Sequence, residues 1–73
     1  MFKMINEKIE RYEVMIEVID GMIERRKEEL KTETSATMKE LTQGRIRELT
    51  GELTVYYQAI KDLKEIKEAA YTE

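Results

Sequence analysis

The fold depends on residues 31–37, which read KTETSAT and separate two stretches with a heptad repeat of apolar residues. Continued past this segment, the first repeat would place its next core position at Thr37, whereas the second repeat starts at Ile46, nine residues later. A stutter or stammer in one continuous coiled coil would make that distance about eleven or ten residues. Ser and Thr side chains also offer hydrogen bonds that compete with a helix. The segment therefore predicts a break between two helices.

Both flanking repeats are typical of amphipathic helices, because apolar residues recur in alternating steps of three and four, the spacing of the a and d positions of a heptad abcdefg. The a and d positions of the first repeat are Phe2, Ile5, Ile9, Tyr12, Ile16, Ile19, Ile23, Arg26 and Leu30. Those of the second repeat are Ile46, Leu49, Leu53, Tyr56, Ile60, Leu63, Lys67 and Ala70. We predict an all-α fold, an antiparallel two-helix coiled-coil hairpin, with helix 1 at about 2–31, a turn at about 32–37 and helix 2 at about 38–71. Thr37 and Glu40 have the spacing of a capping box for helix 2.

The register of the two helices predicts where the turn lies. A turn centred on Ala36 produces five consecutive layers that are apolar on both sides: Ile9 with Leu63, Tyr12 with Ile60, Ile16 with Tyr56, Ile19 with Leu53, and Ile23 with Leu49. A turn centred on Gly44 would instead bury Lys64 and Glu68, which costs free energy. We therefore predict Ala36 as the centre.

A chain of 73 residues forms at most one domain, and a domain of that size buries only about 60% of its unfolded surface. Disulfides and zinc sites built from Cys or His would compensate, but the sequence contains neither residue. Oligomerisation is the remaining way to stabilise a domain of this size. Four apolar residues at g positions, which flank the same side of an antiparallel pair, predict the interface of a homodimeric four-helix bundle. They are Met15, Met22, Ala59 and Ile66.

The composition lacks several residues that common catalytic sites need. Without His or Cys there is no imidazole acid–base group and no thiol nucleophile, and the three glycines are isolated, so no phosphate-binding loop is formed. We expect a protein that is not an enzyme and binds no cofactor or metal. The apolar runs are only a few residues long and no signal peptide is visible, so we expect a cytoplasmic protein that does not enter a membrane.

The charge is unevenly distributed along the chain. Residues 25–47 carry seven basic and four acidic side chains, a net charge of +3, whereas 1–24 and 48–73 each carry −3. A hairpin gathers the basic residues at its loop end, and we name five of them the basic end, a candidate ligand-binding site: Arg25, Arg26, Lys31, Arg45 and Arg47. A second candidate surface for a partner is a stripe on the back of helix 1 formed by Val14, Val18 and Gly21.

Two functions fit these features. The first is a non-enzymatic protein–protein interaction module, a small homo-oligomeric hairpin acting as adaptor, inhibitor or assembly factor, of a size common among bacterial and phage accessory proteins. The second is nucleic-acid binding through the basic end. The architecture is similar to that of the Rop-type dimeric hairpins, which bind paired RNA loops, although no residue motif is shared. We favour an unidentified protein partner, because four glutamates interrupt the basic segment and no aromatic residue interleaves it for base stacking.

Overall fold

The computed structural model describes residues 2–72, and the side chains of residues 2–70. Helix α1 spans Lys3–Thr32 and helix α2 spans Ala36–Thr72. The two helices pack against each other along a rod of 58 × 14 × 13 Å. The prediction of a two-helix hairpin is confirmed.

The turn consists of Glu33, Thr34 and Ser35, and its side chains hold it in place. One carboxylate oxygen of Glu33 accepts hydrogen bonds from the backbone N–H groups of Thr34 and Ser35, at 3.1 and 3.0 Å. The hydroxyl oxygen of Ser35 accepts a hydrogen bond from the N–H of Met38 at 3.4 Å, which is the geometry of a helix N-cap. The backbone groups exposed at the helix ends are thus partly satisfied within the turn.

The prediction that the turn is centred on Ala36, with Thr37 as the cap of helix 2, is wrong. Ala36 is already helical, and the centre of the turn is Thr34, two residues earlier. The turn lies earlier than predicted because Ser35 caps α2, so that the helix begins at Ala36. A turn centred on Thr34 brings Tyr12 opposite Tyr56, and the centroids of the two rings lie 5.6 Å apart.

The core is a single row of side chains along the seam between the helices. Its buried apolar residues all occupy a or d positions: Ile9, Ile16, Ile19, Ile23, Leu49 and Ile60. They form two clusters, one around Ile9 and one around Leu49, and Leu53 and Tyr56 pack against both. At the open end, Lys67 donates a hydrogen bond of 2.8 Å to the amide oxygen of Asn6, so a charged residue at an a position has a partner.

Replacing Ser35 with Ala should lower the free energy of unfolding by about 1 kcal/mol, because the N–H of Met38 loses its acceptor. Urea unfolding followed by far-UV circular dichroism measures this loss. The matched control is Thr37→Ala, which removes a hydroxyl inside the first turn of α2 and should have a much smaller effect. A larger loss for Thr37→Ala would show that Thr37 is the cap.

Candidate interaction surfaces

Most of the exposed apolar side chains lie on one side of the hairpin. Nine large apolar side chains are exposed among the described residues, and seven of them occupy c or g positions: Met4, Met15, Val18, Met38, Leu41, Val55 and Ile66. The g positions of an antiparallel pair flank the same side of the seam, and the c positions lie next to them on each helix. We call the surface formed by the c and g positions of both helices the g-side face.

The four residues predicted as an oligomer interface all belong to the g-side face, and they differ in exposure. Met15 is 40% exposed and Ile66 is 57% exposed. Met22 and Ala59 are half-buried, and Met22 packs against the cluster around Leu49. The c positions are not expected from the heptads as part of this interface, because they do not directly flank the seam.

The basic end is partly neutralised by ion pairs one helical turn apart. Arg26 pairs with Glu29 at 3.1 Å, Lys31 with Glu28 at 2.9 Å, and Arg45 with Glu48 at 3.0 Å: three of the five residues assigned to this end. These pairs are solvent-exposed and each contributes little to stability, but each also cancels a charge that a ligand would need. Arg25 and Arg47 form no ion pair within the described residues, and their heptad positions, c and b, place them on different faces.

The three residues of the predicted stripe, Val14, Val18 and Gly21, do not all belong to one surface. Val18 belongs to the g-side face, whereas Val14, which is 58% exposed, lies outside it. Gly21 is an exposed residue inside α1, and a Cβ atom added there would meet nothing within 4 Å. No contact among the described residues therefore explains this glycine.

Replacing Gly21 with Ala should raise the free energy of unfolding by about 0.5–1 kcal/mol, because Ala restricts the unfolded chain and fits the helix without a clash. The midpoint of urea unfolding measures the gain. Gly51→Ala is the matched control, since Gly51 is also helical with open space around it. A loss of stability at Gly21 alone would show that another chain approaches this position closely.

A groove lies on the opposite side of the seam, where the e positions are. Its floor contains the buried Ile16 and Ile60. The other residues that line it are Glu10, Glu13, Val14, Glu17, Tyr57 and Lys64. We call this the e-side groove. It is more acidic than the g-side face, with three carboxylates and one amine.

Neither a metal site nor a membrane-spanning helix is present in the residues that the structure describes. No group of three or more acidic side chains there is arranged to hold a metal ion. Within the same residues, neither helix has a stretch apolar enough to cross a lipid bilayer. Comparison with protein-family models, curated proteins and solved structures finds no match to this chain.

Proposed function

We propose that this chain is a non-enzymatic protein–protein interaction module, a small helical hairpin that pairs with a second copy through its g-side face and acts as an adaptor, inhibitor or assembly factor. The observation that supports the proposal is the collection of seven exposed apolar side chains on that face. Clusters of exposed apolar side chains on soluble proteins often mark interaction sites.

Burial of the apolar side chains on this face would supply a free energy of the same order as the cost of association. Each of the seven side chains remains about half exposed, so its burial would contribute about 1 kcal/mol. If all of these side chains were buried in both copies, the gain would be at most about 14 kcal/mol, which lies within the range of about 4–15 kcal/mol for the association cost. An isolated exposed residue could not offset that cost.

The charges of the g-side face also permit self-association. Its four basic residues are Lys8, Arg11, Arg25 and Arg45, and its four acidic residues are Glu29, Glu48, Glu52 and Asp62. Because the face has no net charge, two copies of it experience no overall electrostatic repulsion. A four-helix bundle closed in this way would bury the g-side faces and leave the e-side grooves outside.

The proposal is tested by sedimentation equilibrium of the purified chain over a range of concentrations. We expect a dimer whose helical content falls on dilution, because folding and association are coupled in small obligate dimers. A helical monomer at all concentrations would contradict it.

Nucleic-acid binding is the weaker alternative, because three of the five residues of the basic end already pair with glutamates of their own helix. An electrophoretic shift of a labelled oligonucleotide at low salt, abolished by reversing Arg45 and Arg47 to Glu, would support this alternative instead.

A further inference from the structure

One side of α1 carries a continuous acidic stripe beside the e-side groove. Its members occupy b and e positions between residues 10 and 24: Glu10, Glu13, Glu17, Asp20 and Glu24. The stripe extends over about 21 Å, at 1.5 Å per helical residue. No basic residue of α1 occupies a b or e position within this segment.

Four of the five carboxylates of the stripe form no ion pair within the described residues. Glu24 reaches Lys27 at 3.6 Å, whereas Glu10, Glu13, Glu17 and Asp20 take part in no ion pair or side-chain hydrogen bond. Like charges three and four residues apart destabilise a helix. The stripe thus weakens the isolated chain, and its carboxylates are available to a partner.

Apolar groups lie directly beside these carboxylates. Val14 and Tyr57, 58% and 55% exposed, are the two exposed large apolar residues of the described chain that lie outside the g-side face. Both line the e-side groove above the floor formed by Ile16 and Ile60. An exposed tyrosine at the edge of an apolar groove is a typical anchor for a partner.

We infer that the e-side groove binds a basic amphipathic helix of another protein. The apolar side of that helix would pack on Val14 and Tyr57, and its Lys and Arg side chains would meet the acidic stripe, a helix-in-groove mode of recognition. Two copies that met with their acidic stripes facing each other would repel, which favours a basic partner over a second copy at this groove. The g-side face, which has no net charge, is the surface suited to self-association. The inference rests on the proposed role as an interaction module, but not on dimerisation.

Fluorescence anisotropy with two labelled peptides of about 16 residues tests the inference, a length that spans the stripe as a helix. One peptide is an amphipathic helix of Lys and Leu, and the other replaces every Lys with Glu. We expect the Lys peptide to bind, with an affinity that falls as salt is raised, and the Glu peptide not to bind. Tyr57→Ala should weaken binding by about tenfold or more.

Charge variants distinguish an effect of the carboxylates beside the groove from a general effect of the net charge. Glu13→Gln with Glu17→Gln should weaken binding of the Lys peptide by about tenfold. The same pair should leave the thermal midpoint unchanged or higher, because it removes a repulsion. The control pair, Glu28→Gln with Glu40→Gln, changes the net charge equally at the loop end and should not alter affinity.

Equal weakening by both pairs, or no preference for the Lys peptide over the Glu peptide, would overturn the inference. Sedimentation distinguishes this failure from failure of the proposed dimer. A dimer that does not bind the Lys peptide overturns only the groove. A monomer that binds it overturns only the self-association.

Discussion

Replacing Leu49 with Ala is expected to lower the free energy of unfolding by about 2–5 kcal/mol, the usual cost of a cavity at a fully buried leucine. Leu49 is 1% exposed, the most buried side chain of the core, and it packs with Ile19 and Ile23. Because small domains have only about 5–15 kcal/mol of stability, this one change would leave much of the chain unfolded under mild denaturation. Urea unfolding followed by circular dichroism measures the loss.

The double variant of Ile19 and Leu49 reports on the register. Residues in contact show coupled losses, so Ile19→Ala and Leu49→Ala together should cost less than the two single losses added. The control is Val14→Ala at an exposed site, which should change stability by less than about 0.5 kcal/mol. Fully additive losses for Ile19 and Leu49 would mean that the two side chains do not share a cluster.

Replacing both Met15 and Met22 with Glu is expected to convert the chain to a monomer and to remove much of its helical signal at low concentration. The change places four carboxylates in the proposed interface of the dimer, where charge without a partner is costly. Sedimentation equilibrium reports the mass, and circular dichroism at matched concentrations reports the helical content.

A matched pair of charges elsewhere controls for electrostatics in general. Ala36 and Thr37 are exposed in the first turn of α2, where acidic side chains are favourable, so changing both to Glu should preserve assembly and helicity. A Met15 and Met22 double variant that sediments like the unaltered chain and keeps its helicity would exclude the g-side face as the interface.

Much of the fold was predictable, because the heptad spacing alone identifies the core. Within residues 2–70, every buried apolar residue occupies an a or d position assigned from the sequence. The position of the turn is not predictable from the apolar layers, because they do not determine where α2 begins. The decisive interactions are hydrogen bonds made by Glu33 and Ser35, and Thr37 is an equally plausible cap by residue type.

The candidate surfaces were only partly predictable. The g positions such as Met15 and Ile66 can be read from the heptads, but Met4, Val18 and Val55 join them only when both helices form one layer. At the basic end, the sequence shows that basic and acidic residues lie three positions apart, a spacing that allows ion pairs. Side-chain geometry was needed to show that the pairs form.

The packing of Leu53 and Tyr56 against both halves of the core has a consequence for cooperativity. Either cluster could lose its order independently if the two were separate, and the hairpin would then melt in stages. Because Leu53 and Tyr56 pack against both clusters, disrupting one cluster removes contacts from the other. We therefore expect the seam to unfold as one cooperative unit, in an all-or-none transition without an intermediate in which half of the hairpin stays folded.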